Sequence, residues 1–359
     1  MKAKVVLVSL RSNPAFVQFL VAYAKALREL GHEVEFLLDP TYRRFKELQE
    51  TAAILTLDQT QWPTSWTHAV FLNPSVENRK LAVGLKRQST TILYVLHEPW
   101  QLSLRYLWGE GFLATCKAVA AHRVTIPSLR LADTVVLASR YGLNQYRKAD
   151  VKFNRNSVYF PLILDDEAPE SFAELLRQKR YFSFIGGLCR AHGFDQYLGF
   201  MRHALQRDAN ARFLIASRNP LPEDVLKDPI LAQHLDRIEI RCGRPLGNEE
   251  MNRCYAESFC VWNVYRRSTQ SAVLPKALMF GAPVMASRTG SFPEFITEGQ
   301  NGRFASGDDL AGIFDALIHF RTHMRMYAEQ CRKSFLETFY YRSRLKDLEG
   351  LLQGANDCV

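Results

Sequence analysis

Residues 265–304 read YRRSTQSAVLPKALMFGAPVMASRTGSFPEFITEGQNGRF. The stretch opens on a polar, basic turn, Arg266-Arg267-Ser268-Thr269-Gln270. Apolar residues at Val273, Leu274, Ala277, Leu278 and Phe280 then fit a helix. Gly281 is placed to end it, because glycine accepts the left-handed backbone of a helix C-terminus. Pro283 cannot continue it, and Pro283-Val-Met-Ala286 reads as a short buried strand. A second helix follows at Pro293-Glu294-Phe295-Ile296, with a proline in its first turn and an acid beside the positive end of the helix dipole. This alternation predicts a piece of α/β sheet.

The start of the first helix carries the chemistry. Ser268, Thr269, Gln270, Ser271, Ala272 and Val273 would set small side chains and backbone N–H groups at a helix N-terminus, with two arginines just upstream. That pattern suits a phosphate or diphosphate. An ordinary helix cap beside two solvated arginines fits the same residues.

The elements Gly281-Ala-Pro-Val284, Gly290-Ser-Phe-Pro-Glu294 and Asn301-Gly302, in order after a helix, resemble the C-terminal half of the retaining, GT-B-fold glycosyltransferases of family 4. The resemblance implies two Rossmann-like domains facing each other across a cleft. One element departs from the family. Its Glu-x7-Glu pair falls on Ser268 and Lys276, and the second glutamate is the one the family uses to hold the donor's ribose. A lysine cannot accept hydrogen bonds from ribose hydroxyls, although it can contact phosphate.

Composition sets the outer bounds. The chain has 359 residues, 47% hydrophobic and 23% charged, enough for two globular domains with separate cores. Its seven cysteines are scattered without a CxxC pair, so a structural metal is not expected and the thiols read as reduced. The apolar run at the N-terminus is too short for a signal peptide, and no run is long enough to cross a membrane. A cytoplasmic protein is expected, at most working at the inner face of a membrane. The formal net charge of +9 suits a sugar nucleotide, an anionic membrane surface or nucleic acid. The last lacks any supporting motif.

In chain order, Lys4–Leu10 reads as a strand and is followed by Arg11, Ser12 and Asn13, where the family carries a glycine-rich loop. These three residues are the candidate acceptor site, or else a plain connector. A strand at 91–96 ends at His97, the place where ligands of open α/β sheets bind. His97 also resembles the family's histidine beside the donor sugar, and a hydrogen-bonded residue at a strand exit is the simpler reading. Residues 102–130 mix aromatics with Arg105, Lys117, Arg123 and Arg130, a pattern shared by core helices and by segments lying on a membrane. Ala132-Asp133-Thr134-Val135 resembles the family's last strand of the first domain.

The acidic connector from 160 to 177 reads as a helical linker. Past it, Gly186-Gly187-Leu188-Cys189-Arg190-Ala191-His192-Gly193 stands where the family has Gly-Arg-Leu-x3-Lys-Gly, whose arginine and lysine clamp the diphosphate. Gly187 and His192 replace those cations, with Arg190 near by. Strands leading to Arg218 and Arg244 follow, the second where the family holds its nucleobase.

The expected architecture is therefore an α/β GT-B protein. Residues 1–163 form an acceptor domain, 164–335 a donor domain, and 336–359 a helix returning to the first. The expected activity is transfer of a sugar from a nucleotide-sugar donor to a hydroxyl acceptor, a glycan or lipid-linked saccharide of a bacterial surface polysaccharide. It would proceed with retention, with no metal and with no cofactor beyond the donor itself. A catalytically silent GT-B subunit and a nucleotide-sugar epimerase are the alternatives. The epimerase would need acid/base carboxylates that the sequence does not display.

Overall fold

The structure, a computed structural model, describes residues 2–57, 66–97, 112–148 and 156–354. The chain divides into two compact units, one formed by residues 1–165 with 338–359 and the other by 166–337.

The first unit is built on seven parallel strands: β1 (Lys4–Ser9), β2 (Glu33–Leu38), β3 (Ala53–Leu55), β4 (His68–Phe71), β5 (Thr91–Leu96), β6 (Thr134–Leu137) and β7 (Ser157–Tyr159). Their order is β3-β2-β1-β4-β5-β6-β7, so the winding reverses between β1 and β4. Burial on both faces explains why β1 and β5 read as nearly continuous apolar runs. The helix Val17–Glu29 lays Leu20, Tyr23, Ala24 and Leu27 into the core and buries Phe19 as well. The returning C-terminal segment adds Tyr341, Leu348, Leu351 and Leu352 to that same core. Leu164 N–H donates to Phe339 O at 2.8 Å, and Tyr341 N–H to Leu164 O at 3.0 Å.

The second unit has six parallel strands: β8 (Tyr181–Ile185), β9 (Phe213–Ser217), β10 (Ile238–Cys242), β11 (Ser258–Asn263), β12 (Val284–Ala286) and β13 (Gly302–Phe304). Their order is β10-β9-β8-β11-β12-β13, with the reversal between β8 and β11. Phe182, Tyr197, Phe200, Phe213 and Trp262 form an aromatic cluster at its centre, with edge-on and tilted rings.

Three expectations need adjustment. The first helix of the 265–304 stretch runs only from Val273 to Met279, so Ser268–Ser271 lie in a loop ahead of it. The connector from 160 to 177 is helical only from Phe172. Residues 102–111 of the aromatic and basic segment, with Arg105, lie outside the described residues; the helix Phe112–Leu129 occupies most of the rest.

Candidate functional site

Ligands of open parallel sheets bind beyond the carboxyl ends of strands where the winding reverses. Each unit has one such place, and the candidate residues gather at both.

In the second unit the reversal sets the loop after β8 beside the loop after β11. Gly186, with φ of 136°, turns the chain in a conformation that side chains rarely adopt, and a Cβ built there would meet no atom within 4 Å. Open space therefore borders the backbone at this strand end. Arg190 and Arg218 are exposed here, and neither has an acidic partner among the described residues. Asn219, next to Arg218, brings its Oδ1 to 4.0 Å from where a Gly187 Cβ would lie.

The two loops are stitched together. Arg266 donates to Asp195 through both terminal nitrogens at 2.5 and 2.8 Å, and to Arg190 O at 2.9 Å. The Arg266 guanidinium in turn holds the Asp195 carboxyl below its ordinary range. The His192 ring stacks on Tyr265, with centroids 4.5 Å apart and planes at 21°, while its Nδ1 lies 3.1 Å from Gly187 O. His192 also holds the exposed Cys189 thiol below its usual range. From the next loop, Gly290 (φ 61°) approaches so closely that a Cβ would sit 1.9 Å from Ser268 O.

The late helix start changes the expected N–H supply. Ser271 Oγ accepts from Val273 N–H at 3.2 Å, and Pro275 has no N–H. Ser268 Oγ donates to Gln270 O at 2.9 Å, Thr269 is buried, and Ala272 is the cap residue with no side-chain bond. The row of helical N–H groups expected over 268–272 is thus a loop whose side chains are largely engaged.

Two expected cations are also engaged. Arg244 pairs with Glu250 at 2.5 and 2.8 Å. Lys276 is 5% exposed, and its Nζ donates to Glu167 Oε2 at 2.5 Å and Asn252 Oδ1 at 2.9 Å. Glu167 accepts in addition from Asn248 Nδ2 at 3.3 Å and Asn252 Nδ2 at 2.8 Å. A carboxylate therefore does stand beside position 276, delivered from the connector and neutralised by the lysine. Glu167, Asp195 and Tyr265 escaped the sequence reading, because each acts through a partner distant in the chain. Only the acidic run at 165–167 hinted at the first.

In the first unit the reversal places Arg11, Ser12 and Asn13 after β1, near Asn73 after β4. Arg11 is exposed; Ser12 and Asn13 are half-buried. Tyr42 fixes this loop: its Oη accepts from Asn13 N–H at 3.0 Å and lies 3.0 Å from both Ser9 Oγ and Asn13 O. Asn73 Nδ2 donates to Arg11 O at 2.7 Å. His97, just past β5, is half-buried, with Nε2 3.1 Å from Leu72 O and its ring edge-on to Phe16 at 4.9 Å. Burial pushes the imidazole down to about 4, so it is neutral near pH 7.

Residues 179–323 match the family model described as "Glycosyl transferases group 1". A comparison with curated protein sequences gives no match. Solved structures resemble the chain over nearly its whole length. Anabaena HepE, in complex with UDP and glucose, superposes with a TM-score of 0.71 at 14% identity, covering 98% of this chain and 99% of that one. Sucrose-phosphate synthase from Thermosynechococcus elongatus gives 0.71 at 13% identity, covering 98% of each chain. The catalytic domain of starch synthase IV from Arabidopsis thaliana, bound to ADP and acarbose, gives 0.66 at 12% identity, covering 99% of this chain and 100% of that one. The solved structures share with this chain the GT-B fold of two Rossmann-like units, and the family match is to a glycosyltransferase model. The match to the group 1 model lies wholly within the second unit.

Proposed function

We propose that the chain moves a sugar from a nucleoside-diphosphate sugar to a hydroxyl acceptor, and that the second unit binds the donor. The observation carrying this reading is the open, glycine-lined end of β8 at the sheet reversal, flanked by Arg190 and Arg218. A diphosphate suits this place, because the backbone at Gly186 borders open space and two exposed arginines stand on the loops after β8 and β9. Structures similar to this chain hold UDP with glucose, UDP-glucose, or ADP with acarbose, which supports a nucleoside diphosphate as the leaving group.

Glu167, oriented by Lys276 and Asn252, is assigned the carboxylate role toward the ribose that residue 276 does not itself supply. Arg190 and Arg218 are assigned to the charge that develops on the departing diphosphate, a task that calls for no metal. The acceptor hydroxyl attacks from the face the diphosphate leaves. Its proton passes to the departing phosphate oxygen, and configuration is retained without a protein nucleophile. His97, neutral and hydrogen-bonded, is assigned to orient the sugar, not to act as base. A glycan or lipid-linked saccharide of a surface polysaccharide is the proposed acceptor, met by the Arg11-Ser12-Asn13 side of the first unit.

The test is thermal unfolding with UDP, GDP, CDP, ADP and dTDP, each with and without EDTA. At about a hundred times its dissociation constant, the cognate diphosphate adds about 2.7 kcal/mol. One nucleotide should raise the midpoint with EDTA present, and Arg190→Ala with Arg218→Ala should remove the rise. No rise with any nucleotide overturns the donor assignment; a rise abolished by EDTA overturns metal independence.

A further inference from the structure

The surplus charge is not shared between the units. The first carries 24 lysines and arginines against 16 acids, a surplus of eight; the second carries 22 against 21, a surplus of one. Binding a donor diphosphate in the second unit therefore leaves the basic character of the first unaccounted for. Its most one-sided display is the helix Asn78–Arg87.

That helix buries Asn78, Leu81, Ala82 and Leu85. At 3.6 residues per turn, Arg79, Lys80, Val83 and Arg87 share an outer arc of about 100°. All four charged residues of the helix are basic. Lys86, at the arc's edge, is tied to Asp133 at 2.6 and 2.8 Å. Arg79, Lys80 and Arg87 are exposed, with no acidic partner among the described residues. Glu77, the acid ahead of the helix, accepts a hydrogen bond from the Ser75 hydroxyl. Among these cations stands Val83, 37% exposed, and the turn leading into the helix presents Val76 at 69%, the highest value among the exposed large hydrophobic residues.

We propose that this face docks on an anionic phospholipid bilayer. Guanidinium and ammonium groups would meet headgroup phosphates, while Val76 and Val83 enter the boundary with the acyl chains. Nucleic acid or an acidic polymer would satisfy the cations and leave both valines in water; a bilayer accommodates both features. The assignment stands apart from the donor reading, since no residue of the face belongs to the second unit. Because no helix among the described residues is long and apolar enough to cross a membrane, attachment would be peripheral.

The full chain is sedimented with vesicles of phosphatidylcholine alone and of phosphatidylcholine with phosphatidylglycerol in about equal amounts, and separately titrated with polyphosphate. Binding should be confined to the anionic vesicles and weaken as salt rises. Each cation near such a surface contributes about fivefold, so Arg79→Gln/Lys80→Gln/Arg87→Gln should lower affinity about a hundredfold. Val76→Ser/Val83→Ser should lower it severalfold. A charge-matched control in the second unit, Arg212→Gln/Arg253→Gln/Lys333→Gln, should bind like the parent. All substituted side chains are exposed, and unchanged circular dichroism confirms that each variant is folded. Equal binding to neutral vesicles, binding to polyphosphate but to no vesicle, or equal losses in the two triple variants would overturn the proposal.

Discussion

In the first unit, the loop beyond β1 is fixed by a phenol; in the second, the loop beyond β11 is fixed by charge. Tyr42 holds Ser9 and Asn13 through uncharged hydrogen bonds, and the nearby His97 is kept neutral by burial. The corresponding place in the second unit relies on Arg266 with Asp195, and beside it Lys276 with Glu167. One winding pattern thus supports two kinds of crevice. The first is fixed by uncharged groups inside a basic unit, and the second by ion pairs inside a nearly neutral one. Topology decides where a site forms, and the side chains decide what it recognises.

The buried Lys276–Glu167 pair offers the hardest test of this contrast. Glu167→Ala strands an ammonium that is almost wholly enclosed, which should cost about 3–5 kcal/mol. At about 2–4 °C per kcal/mol for a unit of this size, the midpoint should fall by about 10 °C. A calorimetric loss below about 1 kcal/mol would mean that the pair is not a structural feature of the unliganded second unit.

The two units should also answer pH in the same sense, but in separate windows. His97 titrates near 4 when folded and near 6.5 when unfolded. Between those values the unfolded chain binds more protons, so stability falls as pH drops from 6.5 to 4, by up to about 3 kcal/mol. His32 and His68, also lowered by burial, act in the same sense. In the second unit Lys179 is buried, its Nζ donating to Phe280 O, and is pushed down from 10.5 to about 7. The unfolded chain again binds the extra proton above pH 7, so stability there rises with pH, by a comparable amount. Unfolding midpoints from pH 4 to 9 should show both trends. His97→Asn should flatten the acid limb and Lys179→Met the alkaline one; limbs unchanged by these substitutions would refute the assignments.

A smaller loss is expected at Gly290. Gly290→Ala combines a left-handed backbone with a clash against Ser268 O and should cost about 2 kcal/mol. Nucleotide-induced stabilisation should weaken with it, because the 268–271 loop must shift. Retained stabilisation would place the donor away from that loop. Smallest of all is Arg266→Gln. Its pair with Asp195 is partly exposed, at 34% and 54% of the side chains, so less than about 1 kcal/mol should be lost and added salt should erase the difference.

Much of the fold could be read directly. The apolar runs at 4–9 and 91–96, the spacing of Phe19, Leu20, Tyr23 and Leu27, and Gly281 with Pro283 are local signals, and the strands and helices form where they point. Composition within residues 265–273 did not reveal where the helix begins. Small polar residues fit a loop and a first turn equally well, and packing against the 287–291 loop selected the loop. The cations were legible as residues but not as partners. Nothing near Lys276 in the chain indicates that a carboxylate 109 residues earlier meets it.

The sequence by itself determined the α/β class, the parallel sheets and the segment that matches a glycosyltransferase family, because these follow from periodicity, turn residues and local motifs. Only the tertiary structure decided which arginines are spent on the protein's own acids and which stay exposed without an acidic partner among the described residues. It also decided which carboxylate stands beside Lys276, and that the surplus positive charge belongs to the first unit. Those outcomes depend on distance in space, and Coulomb attraction and burial act between neighbours whatever their separation along the chain.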